Sequence, residues 1–320
     1  MPEINMVQAI NLALKDSMRD DPDVLILGED VGVDGGVFRV TDGLLKQFPE
    51  RVFDTPLAEI GIVGTAIGLA VYGLKPVAEI QFSGFLPGAF DQLISHASRI
   101  RNRSRGRFTC PLVIRVPYSG GIHAPEHHSE SMETCYIHIP GIKVVIPSTP
   151  TDAYGLLISA IKDPDPVLFL EPKRIYRAIK EELVKKEPIP LGQARIAREG
   201  SDITLISWGA MMVPTLQAAG KTSYDCEVID LRTVSPMDID AILKSVRKTG
   251  RAIIVHEGPR TLGLGAEISA LLQEKALLNL KAPLERVTGW DVPFPLSKLE
   301  NYYLPSHERV EQAIDKLMTF

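Results

Sequence analysis

Between Asp54 and Glu79 the chain reads DTPLAEIGIVGTAIGLAVYGLKPVAE, a nearly continuous apolar stretch with one glutamate, Glu59, at its mouth. A carboxylate set against closely packed backbone is costly to bury unless it is protonated or partnered. Glu59 is therefore either a surface carboxylate at a helix start or part of a site. Behind it, Gly61, Gly64, Thr65 and Gly68 recur at helical spacing, which predicts a face on which a second helix can approach closely, within the chain or across a subunit interface. The same glycines do not make a dinucleotide fingerprint, because they lack the tight GxG turn and lie inside the helix.

Length and charge narrow the remaining classes. A chain of 320 residues is long enough for two domains, and 45% apolar residues suit ordinary cores. The net charge of −5 and pI near 5.9 argue against a general nucleic-acid binder. Acids and amides interrupt the apolar positions of MPEINMVQAINLALKDSMRDD, so the N-terminus reads as neither signal peptide nor membrane span, and a cytoplasmic protein is expected. Cys110, Cys135 and Cys226 are scattered, with neither disulfide-framework nor zinc spacing.

Val7, Ile10, Leu14 and Met18 predict a helix, followed by a buried strand Val24–Leu27. Beyond it the pattern alternates: helix Ile60–Tyr72, strand Val77–Phe82, helix Phe90 to about Arg101, strand Leu112–Val116, strand Lys143–Ile146, helix Thr151–Ile161 and strand Val167–Leu170. Charge and proline replace periodicity over Lys180–Pro190, as in a linker. Strands at Ile203–Ser207, Cys226–Leu231 and Ala252–His256 then alternate with helices near Pro214–Gly220, Asp238–Arg247 and Ala266–Lys275. The expectation is an α/β protein: a first domain over 1–180 with a parallel sheet covered by helices, a linker over 181–200, and a smaller, mostly parallel domain over 201–320.

Two other motifs compete for the chemistry. His123, Glu126 and His127 spell HxxEH, but Gly120, Gly121 and Pro125 favour a loop over the helix a zinc peptidase needs. Three histidines in one loop, His123, His127 and His128, still point to a site. Arg99, Arg101, Arg103, Arg105 and Arg107 read as cations closing a helix C-terminus rather than as catalytic groups.

Taken together, the chain resembles the β subunits of thiamine-dependent 2-oxo acid dehydrogenases. The resemblance is carried by LGED (27–30), DTPLAEIGIVGTAIGLA (54–70), PVAEIQF (76–82), HHSES (127–131), PGIKVVIPSTP (140–150), EVIDLRTVSPMD (227–238) and VTGWDVPFP (287–295). GIKVVIPSTP, EPKRIYR and EVIDLRT lie closer to the branched-chain (2-oxoisovalerate) members than to the pyruvate members.

This resemblance implies a transketolase-like pyrimidine-binding domain followed by a transketolase C-terminal domain. It implies that Glu59 hydrogen-bonds the aminopyrimidine of thiamine diphosphate and promotes the tautomer that removes the thiazolium proton. Apolar neighbours Leu57, Ile60 and Ile62 are expected to desolvate Glu59. Leu57, Gln81 and Phe85 fall at pocket positions, with Phe85 in place of an occasional tyrosine. His128 matches the histidine that steers protons during reductive acylation of the lipoyl group. Glu29 matches an acid in a proton network, although a surface-loop carboxylate remains an equal alternative. Potassium would be held, mainly by backbone oxygens, at Leu112, Ala160, Ile161, Asp163 and Asp165.

The chain contains no GDG, the superfamily element that holds the diphosphate and Mg2+. Those would sit on a separate α subunit, giving an α2β2 heterotetramer. The C-terminal domain would form the β–β contact and meet the dihydrolipoyl acyltransferase core with its lipoyl domain. A transketolase or deoxyxylulose-phosphate-synthase-like carbon transferase half is the alternative function, and a non-catalytic scaffold subunit is a remoter one.

Overall fold

The computed structural model describes residues 3–183 and 186–320. Near its start, the Asn5 side chain accepts from the Gln8 amide and the Gln8 side chain accepts from the Asn5 amide, each at 3.0 Å. This reciprocal cap starts the helix Met6–Asp20, which buries Val7, Ile10, Leu14 and Met18, the predicted apolar face, partly against the helix Pro150–Lys162.

The larger sheet has seven strands, in the order Thr233–Ser235, Lys143–Val145, Val167–Pro172, Val113–Tyr118, Lys75–Glu79, Val24–Gly28 and Val52–Asp54. All neighbours pair in parallel except Thr233–Ser235, an antiparallel edge strand from the second half of the chain. Five of the seven strands are buried on both faces, or nearly so, which explains their unbroken apolar runs. The smaller sheet runs Glu285–Val287, Ala252–Val255, Ile203–Ser207, Cys226–Asp230 and Arg195–Arg198, parallel except for the last strand.

Several expectations need correction. The helix predicted over Phe90–Arg101 is broken into a π turn Gln92–His96, a 3-10 turn Ala97–Arg99 and a short α-helix Ile100–Arg103, and a tight 3-10 segment Ser83–Ala89 precedes it. Pro87 lacks an amide donor, and the π turn widens the winding, so no single ladder of hydrogen bonds runs through. The strand predicted to reach Phe82 ends at Glu79. The stretch read as linker opens as a strand, Lys180–Glu182, paired antiparallel with Glu3–Asn5. Val184 and Lys185 of that stretch, like Met1 and Pro2, lie outside the described residues.

The helix Glu59–Tyr72 turns Ile62, Val63, Ala66, Ile67 and Ala70 inward, into the core that also holds Leu25, Leu27, Ala78 and Ile80. Its opposite face is open. A Cβ on Gly68 would meet nothing within 4 Å, one on Gly61 only Ala58, and Tyr72 is 85% exposed. Of the three glycines only Gly64 has a neighbour from another element, the Gln92 side chain 3.5 Å from its ideal Cβ. Among the described residues, the glycine face is thus approached by another element only at Gly64, through the Gln92 side chain of the π turn. Among the described residues no helix is long and apolar enough to cross a membrane.

Candidate active site

Four adjacent parallel strands, Val52–Asp54, Val24–Gly28, Lys75–Glu79 and Val113–Tyr118, end at one edge of the larger sheet. Ligand sites in α/β sheets form outside the carboxyl ends of strands, where the loops can splay. The loops leaving this edge carry Leu57 and Glu59, Glu29, Gln81 and Phe85, and His128 respectively. The topology thus brings together every residue expected in catalysis or pyrimidine binding.

Glu59 opens its helix from the first turn, where a carboxylate complements the helix dipole. It is half-buried. Its expected apolar wall is only partly there, because Ile62 is buried whereas Leu57 is 65% and Ile60 54% exposed. Both apolar residues lie at the surface, so desolvation of Glu59 is incomplete within one chain. The Gly88 position faces its carboxylate, with Glu59 Oε2 3.7 Å from an ideal Cβ there. Burial, followed by the negative charges of Asp30 and Glu59, raises the Glu29 carboxyl. Glu29 thus feels the charge of Glu59, and Glu29 Oε2 is shielded with no hydrogen-bond partner among the described residues. Gln81 Nε2 reaches Asp30 at 3.4 Å.

His128 stands edge-on to Phe82 at 4.3 Å and to Phe85 at 5.3 Å, and the two phenylalanine rings meet at 5.5 Å. Its Nδ1 is buried without a protein partner. It sits in a tight turn, Glu126–His128, that lies on the Gly84 backbone. A Cβ at Gly84 would stand 2.0 Å from the His127 carbonyl oxygen, so only glycine permits this approach. Zinc is not supported by this turn, and no cluster of three or more metal-binding side chains occurs among the described residues. Glu59, Glu29, Gln81, Phe85 and His128 offer what one end of a flat, polar heterocycle requires: carboxyls, an amide and aromatic edges. The Leu57–Ile60 rim beside them is open to solvent.

The residues expected to hold potassium lie at the opposite edge, since Leu112 and Asp165 precede the strands Val113–Tyr118 and Val167–Pro172. Both Asp163 carboxylate oxygens bind Lys143 Nζ at 2.6 Å, and Asp165 binds Arg101 Nε at 2.7 Å. The Leu112 and Ala160 carbonyls accept from the Val167 and Asp163 amides at 2.9 and 3.2 Å. The two carboxylates are thus each paired with a cation, which weakens their pull on an ion and leaves the backbone oxygens as the main candidate ligands. A cavity of about 1150 Å3 lies at this edge, lined in part by Arg99, Arg101, Lys143 and Asp165, away from Glu59.

The sequence reading missed a buried polar layer behind the site. Lys173, pushed down to about 7 by burial against the pull of Glu257 and Glu300, has its Nζ 5.8 Å from the Phe82 ring centre. Glu133, buried, is pushed up to about 7, first by burial and then by Glu257. In sequence these are an isolated lysine and isolated glutamates with no periodic signal. Because native Glu133 titrates well above its ordinary 4.5, the folded state holds an extra proton between those values. Its contribution to stability is full below about pH 4.5 and is lost as pH rises through about 7. Glu133→Gln should therefore gain on the parent chain over that range, by on the order of 3 kcal/mol, in unfolding measured against pH. A pH-independent difference between the two would contradict it.

Comparisons with known proteins converge on the same reading. Residues 2–179 match the family described as transketolase, pyrimidine binding domain, and residues 192–310 match transketolase, C-terminal domain. A split-gene transketolase described as an inactive beta4 tetramer superposes with a TM-score of 0.82 at 23% identity, covering 99% of each chain, and so shares the fold. The architecture is that of a transketolase-type pyrimidine domain joined to its C-terminal domain. Much closer relatives carry the name pyruvate dehydrogenase E1 component subunit beta. That of Bacillus subtilis is 50% identical over 100% of both chains, that of Staphylococcus epidermidis 52% over 98% of both, and that of Acholeplasma laidlawii 49% over 99% of this chain and 98% of its own. The chain belongs to the family of 2-oxo acid dehydrogenase E1 β subunits.

Proposed function

We propose that this chain, together with an α subunit, catalyses the oxidative decarboxylation of a 2-oxo acid and passes the acyl group to lipoyl-lysine of a dihydrolipoyl acyltransferase. The observation that carries this reading is the convergence of Glu59, Glu29, Gln81, Phe85 and His128 on one sheet edge in a member of this family. Glu59 would engage the aminopyrimidine of thiamine diphosphate, with Phe85 against its ring and Leu57 and Gln81 at its rim. The bound cofactor supplies the carbon nucleophile and the electron sink. Glu59 would exchange a proton with the ring nitrogen, and Glu29, whose carboxyl is raised by burial and then by the charges of Asp30 and Glu59, would relay it.

The diphosphate and Mg2+ fall to the α subunit in an α2β2 assembly. The open face of the Glu59–Tyr72 helix, with Leu57 and Ile60 beside it, supports that partner, because exposed apolar patches mark contacts. Exposed Leu278, Leu296 and Tyr302 on the C-terminal half support a β–β contact and docking on the acyltransferase core. Pyruvate is the first substrate to test, as the named relatives suggest, with a branched-chain 2-oxo acid beside it, as the sequence motifs suggest. Co-expression with an α subunit should yield decarboxylation of one of the two. An assembled complex that turns over neither would overturn the reading.

His128 would move protons during acyl transfer. His128→Ala is expected to lower acylation of a lipoyl domain by about a hundredfold while decarboxylation with an artificial acceptor falls much less. Equal losses in the two half-reactions would assign the ring another role. Potassium, held by the backbone oxygens of the Leu112, Ala160–Ile161 and Asp163–Asp165 segments, belongs to the same reading as a structural ion. Exchange of K+ for a large organic cation should then lower the unfolding temperature of the assembly, and an unchanged temperature would remove the ion from the account.

A further inference from the structure

The loop Ser119–Ser131 carries His128, yet only part of it is held by the domain from which it springs. Within that domain, the Ser119 amide donates to Glu130 O at 3.3 Å, and Ser83 Oγ donates to the same carbonyl at 2.8 Å. Among the described residues, the other hydrogen bonds that tie the two stems to the rest of the chain come from the C-terminal half. Glu257, which follows the strand Ala252–Val255, accepts through Oε1 from the Gly120 amide at 3.0 Å and from the Ser131 hydroxyl. One carboxylate oxygen thereby ties the first stem of the loop to the last. Glu300, at the start of the helix Glu300–Tyr303, accepts from the Gly121 amide, and its Oε2 lies 3.1 Å from His123 Nδ1. The His123 ring also stands 3.2 Å from the Ser297 carbonyl.

Packing leaves the stems no alternative seat. A Cβ at Gly120 would lie 2.5 Å from the Phe294 ring, and one at Gly121, where φ is +97°, would lie 2.5 Å from the Arg174 side chain. Glu257 and Glu300 are both almost completely buried. A buried carboxyl is costly to keep unless its hydrogen bonds offset the loss of water. Neither residue touches the aromatic site, so neither is catalytic. The buried Lys173 feels the charge of both carboxylates and stands 5.8 Å from the ring of Phe82 against which His128 packs.

We propose that Glu257, assisted by Glu300, is a positioning residue that latches both stems of the Ser119–Ser131 loop to the C-terminal domain and so sets His128 against Phe82 and Phe85. The loop part stands on geometry alone; the consequence for acyl transfer rests on the function proposed above for His128. In the full chain, Glu257→Ala should speed amide hydrogen exchange across residues 119–131 by at least tenfold, with exchange in the strand Ala252–Val255 unchanged. Glu257→Gln, whose side-chain oxygen can still accept from Gly120 and Ser131, should return the loop to within a few-fold of the parent. Ser131→Ala removes one of the two bonds without touching the buried charge and should give an intermediate rate, which keeps the test decisive if Glu257→Ala does not fold. Unchanged loop exchange in Glu257→Ala or, failing that, in Ser131→Ala would overturn the latch, as would a Gln variant no better protected than Ala. In the α-assembled enzyme, Glu257→Ala should lower lipoyl acylation about tenfold, with a smaller change in decarboxylation and recovery in Glu257→Gln. If the loop loosens but acylation holds in both Glu257→Ala and His128→Ala, the role of His128 fails while the latch stands.

Discussion

Glu59→Gln, assembled with an α subunit, is expected to decarboxylate 2-oxo acids at least about a hundredfold more slowly than the parent chain, the usual scale for loss of a positioned proton-transfer group. Glutamine keeps the shape and one hydrogen bond of the side chain but cannot give or take a proton. Stability should hardly change. The residue is half-buried in the first helical turn, where losing a favourable charge at the dipole costs only about 0.3–1 kcal/mol. A hundredfold rate loss corresponds to about 2.7 kcal/mol of barrier, several times that structural cost. Steady-state decarboxylation beside a thermal unfolding curve separates the two effects. Retained turnover would remove Glu59 from the chemistry, and a large drop in unfolding temperature would reassign it to the fold.

The largest effect on stability should come from Arg115→Ala. Arg115 is wholly buried on the strand Val113–Tyr118, where its Nη1 donates to Glu79 at 2.6 Å and its Nε and Nη2 donate to Glu171 at 2.7 and 2.9 Å. Tyr176 adds its hydroxyl to Glu171 at 2.5 Å. Glu79, Arg115 and Glu171 come from three adjacent strands, so the triad knits the sheet at the edge that carries the site. Such a triad need not add stability overall, but removing its only cation strands two buried carboxylates, at a cost of about 3–5 kcal/mol. That is a large share of the roughly 5–15 kcal/mol that holds a typical domain together. Burial already pushes the Glu79 carboxyl up while Arg115 opposes it, so without the guanidinium its protonated form gains. The deficit of Arg115→Ala should therefore shrink as pH falls. Denaturant unfolding at several pH values checks both statements, and a deficit below about 1 kcal/mol would show that the site relaxes more than its burial suggests.

Much of this molecule is legible in its residues because buried parallel strands write themselves as apolar runs. Ile203–Ser207 is a strand over the predicted bounds, and Val7, Ile10, Leu14 and Met18 are the buried face of a helix. Strands of three or four residues, such as Val52–Asp54, Thr233–Ser235 and Glu285–Val287, escaped because they are too short to show a period and owe their form to neighbours already in place. The broken winding from Phe90 to Arg101 looked like one helix because its apolar spacing is helical, whereas the π turn and the 3-10 turn that follows it are local backbone facts. Within the site, Glu59 and His128 announced themselves through an acid in an apolar run and a histidine cluster. The desolvation expected around Glu59 is only partial in one chain, since Leu57 and Ile60 face outward. Glu257, Glu300 and Lys173 were invisible for a different reason: their meaning depends on contacts between residues more than a hundred positions apart.

In the proposed function a carboxyl of this chain acts as the proton partner of the pyrimidine of a cofactor whose diphosphate is held by the α subunit. The most direct test is the rate at which the C2 proton of thiamine diphosphate exchanges for deuterium in the α-assembled enzyme, read by quenched-flow NMR without substrate. Exchange in the parent assembly should exceed that of free cofactor and that of the Glu59→Gln assembly by at least about a hundredfold. Equal rates in the parent and Glu59→Gln assemblies, with the cofactor fully bound in both, would contradict it.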